Sequence, residues 1–344
     1  MKIAILSTIE PFIMGGAKKQ FEDLYSILKE NQNQVELFFI PFNFDIEKMD
    51  EQIEGIRKIH INSDIIITSR PMSYAVKHPN KILWFMHHIP YFYEFSETPI
   101  NPYLSHPNFK EKQQKFLEQD TLFIRESKKI FTVSNFVSQK LKKYNNVESQ
   151  TVYPPLNDIH KFYSNKYSDY FFLPSLITFT KRQHLIIEAL LYTRNPIKLI
   201  LAGQMDKEYY LKYISPLIKN KKIKQNLIII DKYINNEKYD YYANSLGTIF
   251  TPMNEAFGYV VLESFFSSKP VITTNDSGGP CELITNNITG FVTEPHPQNI
   301  AQIMDTLYEN RKYAQKLGEN AYEFAKSNFE THKIKKIINE LFFS

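Results

Sequence analysis

Gly247-Thr-Ile-Phe-Thr251-Pro-Met-Asn-Glu255-Ala-Phe257-Gly258-Tyr259-Val-Val-Leu-Glu263 starts as a short apolar run, crosses a loop and turns into a helical pattern. A strand over Gly247–Thr251 that feeds a helix is one βα step of a parallel sheet. The same step recurs on both sides. Upstream lie apolar runs at Asp169–Leu173, Ile197–Ala202 and Asn226–Ile230, and downstream at Pro270–Thr274 and Gly290–Thr293. The chain then closes in helical patterns over Pro297–Glu309, Lys312–Lys326 and Glu330–Phe343. A second series precedes these, with strands expected at Lys2–Ser7, Gln34–Ile40, Asp64–Thr68, Ile82–Met86, Lys129–Ser134 and Ser149–Tyr153. Helical patterns over Ala17–Lys29, Asn108–Glu126 and Asn135–Tyr144 separate several of them. The runs are nearly continuous in apolar residues, as strands covered by helices on both faces are. Tyr153-Pro154-Pro155 and the polar stretch to Tyr167 break the rhythm and read as a hinge or linker. The fold class is therefore α/β, with two Rossmann-like, doubly wound parallel-sheet domains facing a cleft where ligands are expected.

Length and composition agree. At 344 residues the chain is long for one core, and 43% hydrophobic content can fill two. A net charge of +4 and no basic stripe interleaved with stacking aromatics speak against nucleic acid. The single cysteine, Cys281, rules out an intramolecular disulfide and disfavours a cysteine zinc site. The apolar run at the N-terminus is too short for a signal peptide, and no stretch is long enough to span a membrane. A reducing cytoplasm is the expected location.

Chemistry concentrates in four places. In the opening stretch, Gly258 would begin a helix whose free N–H groups and positive dipole end suit a diphosphate. Glu263, a turn further in, can accept hydrogen bonds from the vicinal hydroxyls of a ribose, and Glu255 can meet sugar hydroxyls. Two solvated surface glutamates are the plain alternative. After the first strand, Pro11-Phe-Ile-Met-Gly15-Gly16-Ala17 allows close backbone approach to a ligand, or is simply a tight turn; it is not the dinucleotide fingerprint. His87 and His88 end a strand, where adjacent histidines are better than average candidates. Lys181 and Arg182 follow the first strand of the second series, where they can hold phosphate or be solvated helix-start residues.

The span Glu255–Glu263 resembles the Glu-x7-Glu signature of retaining GT-B glycosyltransferases, specifically glycosyltransferase family 4. The resemblance continues through Lys269-Pro270-Val271-Ile272, Ser277-Gly278-Gly279, Glu282 and Thr289-Gly290-Phe291-Val292. It implies a GT-B architecture: an acceptor-side domain over 1–155, a nucleotide-sugar domain over 156–328, and a final helix, 329–344, crossing back onto the first. It implies a hexose or N-acetylhexosamine moved with retention from a nucleotide-diphosphate sugar, UDP-sugar favoured and GDP-mannose an option, to a glycan or lipid-linked acceptor. Carried over by position, it makes His87, Glu255 and Lys181 catalytic. It assigns donor binding to Gly15, Gly16, Arg182, Gly203, Phe257, Gly258, Tyr259 and Glu263. The family has an Arg where this chain has Leu176, and Arg182 is the nearest compensation. No Asp-x-Asp motif is present, so no metal and no cofactor are expected.

Other readings stay open. A nucleotide-sugar epimerase would use the donor alone, and a catalytically silent sugar-nucleotide-binding or scaffold protein would turn nothing over. Lys140, Lys142 and Lys143 are either a solvated face or a contact with anionic lipid at the inner face of a membrane.

Overall fold

The computed structural model describes residues 1–9, 16–232 and 236–343. Two compact units divide the chain: Met1–Pro155 with Ile334–Ser344, and Leu156–Lys333. Each holds one six-stranded sheet.

The first sheet runs β1 (Lys2–Ile9), β2 (Gln34–Pro41), β3 (Ile65–Thr68), β4 (Lys81–Phe85), β5 (Lys129–Thr132) and β6 (Gln150–Thr151). Their spatial order is β2-β1-β3-β4-β5-β6, with every pairing parallel. The second runs β7 (Tyr170–Pro174), β8 (Lys198–Ala202), β9 (Leu227–Ile230), β10 (Gly247–Ile249), β11 (Val271–Thr274) and β12 (Gly290–Thr293). Its order is β12-β11-β10-β7-β8-β9, again all parallel. That is the doubly wound Rossmann order, in which the chain leaves β7 toward one edge and returns at β10 toward the other. Twelve apolar runs in the sequence are twelve strands here. The expected ends at Ser134, Tyr153 and Thr251 overshoot, because strand pairing stops where each chain turns off toward its loop.

Covering helices form where the sequence supplies an apolar stripe. Helix Gly16–Glu30 buries Phe21, Leu24, Ile27 and Leu28 at helical spacing. Helix Asn135–Asn145 is capped at its start by Ser134, whose hydroxyl accepts from the Val137 N–H at 3.1 Å, and ends on Asn146 in the left-handed region. A short helix at Met49–Arg57, which the apolar runs did not announce, buries Met49, Ile53 and Ile56.

The last helix, Thr331–Phe343, buries Ile334, Ile338 and Phe342, while Ile337 is exposed. From Ile334 onward it belongs to the first unit. Phe342 stacks on Phe131 at 4.7 Å and meets the buried Trp84 edge-on at 5.7 Å. The Lys129 ammonium donates to the Leu341 and Phe342 carbonyls, where the helix dipole is negative. Trp84 is the chain's single tryptophan, and its indole N–H donates to the Val152 carbonyl at 2.8 Å.

Phe342→Ala removes a fully buried ring and leaves a cavity beside Trp84. The expected cost to the first unit is about 3–5 kcal/mol. Urea unfolding followed by Trp84 emission would show a lower midpoint; an unchanged midpoint would mean that the helix does not complete this core.

Candidate functional site

The loops that leave β7 and β10 start side by side and part to opposite edges of the second sheet, which opens a crevice at their carboxyl ends. A backbone bond ties the two loops: the Met253 N–H donates to the Thr180 carbonyl at 2.7 Å. Lys181 stands on the first loop and Glu255 on the second, and their side chains form an ion pair. Both are about a quarter exposed or less, so the pair faces solvent without being flooded by it.

The Glu255 loop is seated against the segment after β11. The Glu255 N–H donates to the Ser277 carbonyl at 2.9 Å, and the Gly279 N–H donates back to the Glu255 carbonyl at 2.8 Å. Ser277-Gly278-Gly279 thus serves close backbone packing. Gly258 follows at φ 105°, and helix Tyr259–Phe266 begins directly after it. A side chain at 258 would be strained by that φ and would lie 2.9 Å from Pro280. Gly203, beyond β8, is needed for a different close approach: a Cβ there would overlap the Ser175 carbonyl.

Several of the expected site residues have protein partners of their own. Arg182, read as a phosphate ligand in place of the missing arginine, is buried and sits at φ 54°. Its Nε donates to the Thr251 carbonyl at 2.8 Å, and its terminal nitrogens to both Asp276 oxygens at 2.6 and 2.7 Å. The Pro252 carbonyl and the Thr274 hydroxyl accept as well. A guanidinium so committed is a brace between the ends of β7, β10 and β11. Phe257 is also turned inward, packed against Phe329 and Tyr259. Glu263 lies inside the helix as expected but is 6% exposed. Its Oε1 accepts from Lys238 at 2.6 Å and its Oε2 from Tyr242 at 2.8 Å. Sequence reading missed both partners. The available signal was a lysine four residues before a tyrosine on a helix face otherwise apolar.

The two histidines separate. His88 is buried among Phe85, Tyr93 and Tyr144, with Nε2 at 2.7 Å from the Asn145 amide oxygen. Burial pushes its pKa down to about 3, so it stays neutral. His87 is partly exposed, and its Nδ1 lies 2.7 Å from the His88 carbonyl, a contact that places the ring proton on Nδ1. Gly16 opens its helix; Gly15 lies outside the described residues. The lysine cluster is less cationic than its spelling. Lys140 is largely buried and paired with Glu94, Lys142 pairs with Glu148, and Lys143 lies over the Tyr144 ring. No helix among the described residues is long and apolar enough to cross a membrane.

Residues 176–324 match the family model for glycosyl transferases group 1. Alpha-1,3/1,6-mannosyltransferase ALG2 of Homo sapiens is 26% identical over 199 residues, 51% of this chain and 47% of that protein. The match therefore spans under half of that relative's length. Among solved structures, sucrose-phosphate synthase from Thermosynechococcus elongatus superposes with a TM-score of 0.81 at 15% identity, covering 99% of this chain and 98% of that one. Anabaena Alr3699/HepE in complex with UDP gives 0.75 at 16%, covering 99% of each. At these identities the likeness carries the fold, which is the GT-B arrangement of two Rossmann-like domains.

Arg182→Met should destabilise the second unit by about 2–3 kcal/mol, the scale of hydrogen bonds to a charged group. Burial alone would raise the Asp276 carboxyl, but hydrogen bonds from Arg182 and Thr274 outweigh it and hold the pKa below its ordinary value. A carboxyl so lowered adds stability that is complete above its unfolded pKa, roughly 4, and is lost as pH falls through the folded value. The gap between wild type and Arg182→Met in thermal unfolding is thus expected at pH 7 and narrows below about pH 4. A gap that widens in acid would contradict the brace.

Proposed function

We propose that this chain is a retaining glycosyltransferase that moves a hexose or N-acetylhexosamine from a nucleoside-diphosphate sugar to a glycan or lipid-linked acceptor. A UDP-sugar is the favoured donor and GDP-mannose the alternative. The observation that carries this reading is the Lys181–Glu255 pair at the carboxyl ends of β7 and β10, beside the helix start at Gly258. The matched domain and the mannosyltransferase relative support it, as does the UDP bound by the Anabaena protein of the same fold.

The chemistry follows from the charges. Bond breaking at the anomeric carbon leaves negative charge on the diphosphate. Lys181 and the N–H groups at the start of helix Tyr259–Phe266 are placed to offset it. Before the donor arrives, Glu255 holds the Lys181 ammonium; a phosphate takes that ammonium over and releases Glu255 to accept sugar hydroxyls. His87 contacts the transferred sugar, and Glu263 accepts the ribose hydroxyls. Front-face attack, in which the leaving phosphate takes the acceptor's proton, yields retention without a protein nucleophile. The sequence has no Asp-x-Asp motif, and the lysine and helix start supply the positive charge, so the reaction is proposed to be metal-independent. One observation favours a second reading, a silent sugar-nucleotide binder: Leu176 replaces the family arginine while Arg182 is committed elsewhere.

A turnover screen with UDP- and GDP-sugars separates the two, since a silent binder releases no nucleoside diphosphate from any of them. Activity is expected to be unchanged in EDTA; loss restored by magnesium or manganese would refute the metal-free mechanism. Glu255→Gln frees Lys181 from its competitor, so it should bind the nucleoside diphosphate about two- to fivefold more tightly, the worth of a partly exposed ion pair. Its turnover should nevertheless collapse. Weaker binding in calorimetry would show that Glu255 does not compete for Lys181.

A further inference from the structure

A carboxylate as buried as Glu263 is costly unless it is paired and hydrogen-bonded. Helix Glu237–Asn244 supplies both partners from one face, Lys238 and Tyr242. The Lys238 and Glu263 side chains are each 8% exposed, and the lysine is itself flanked by the Phe162 and Tyr239 rings at 5.5 and 5.4 Å. Tyr242 is fully buried, and burial first, then the Glu263 charge, pushes its pKa far up, so it remains an O–H donor. An ionised carboxylate offers about four lone-pair sites. Lys238 occupies one on Oε1 and Tyr242 one on Oε2, which leaves one on each oxygen, at a fixed orientation.

We propose that Lys238, with Tyr242 beside it, is a positioning residue for donor recognition. It keeps Glu263 aimed so that the two remaining lone pairs read the two vicinal hydroxyls of a ribose. This rests on the assignment of Glu263 to ribose above. Neither residue needs to touch the donor. With Lys238 gone, the carboxylate loses the bond that holds Oε1 and turns, and one of the two acceptors is lost. The pair thereby makes the chain selective for ribonucleotide over deoxyribonucleotide donors.

The test is calorimetry with whichever of UDP and GDP the wild type binds more tightly, and with its 2′-deoxy counterpart. Wild type is expected to prefer the ribonucleotide by about tenfold or more, the value of a hydrogen bond to a charged group. Lys238→Met should bind the ribonucleotide no better than the wild type binds the deoxy form, with deoxy binding unchanged. Lys238→Arg should keep most of the preference. Equal loss for both nucleotides, or an unchanged ratio, would make Lys238 merely structural and overturn the proposal. If Lys238→Met does not fold, Tyr242→Phe carries the test: it removes only a hydroxyl, and its preference should fall by about two- to threefold; an unchanged ratio overturns the proposal. A wild type without any preference would overturn the ribose assignment itself, a result distinct from failure of the lysine's role.

Discussion

Strands β7 and β10 lie side by side and parallel, yet the chain leaves one toward β8 and the other toward β11. The loops at their carboxyl ends must therefore part, and the site depends on that divergence. Lys181 comes from one loop and Glu255 from the other, 74 residues apart, and they meet because their strands are neighbours. The Arg182 brace and the Met253–Thr180 backbone bond keep the loops from drifting. Close packing of Gly258 and Gly279 then sets the helix start beside the pair.

Three charge pairs surround this point, and their burial sorts their tasks. Lys238–Glu263 is almost closed to water. Separating it would strand a charge at a cost of several kcal/mol, so it acts as a fixed unit. Arg182 is nearly as buried, with its donors spread over five acceptors, and is equally fixed. Lys181–Glu255 is the more open, at 20% and 25% exposure. A pair with that access to water exchanges partners at modest cost. The three pairs carry no net charge between them, and Lys181–Glu255 is the one whose cation is most open to water.

The strands and the closing helices were legible because burial on both faces, or along one stripe, writes itself into the sequence as unbroken or periodic apolar residues. Glu255, Gly258 and Glu263 were legible as a spacing on a strand, loop and helix. What could not be read was who neutralises whom. Asp276, 94 residues from Arg182, turns a presumed phosphate ligand into a brace. Lys238, 25 residues before Glu263, turns an open carboxylate into a held one. Glu94 removes Lys140 from a supposed basic patch. Each pairing is a product of tertiary packing, and no local pattern announces the partner. Register after the strand favours His87 over its neighbour, and packing separates the two: His88 lies in an aromatic core and His87 is partly exposed.

The most direct measurement is a crystal structure of the chain with the nucleoside diphosphate it binds best. The account predicts phosphate oxygens about 2.7–2.9 Å from the Lys181 ammonium, near the first N–H groups after Gly258, with Glu255 released from the lysine and the Arg182–Asp276 and Lys238–Glu263 pairs intact. A diphosphate bound elsewhere, or bound with Lys181 and Glu255 still paired, would contradict it.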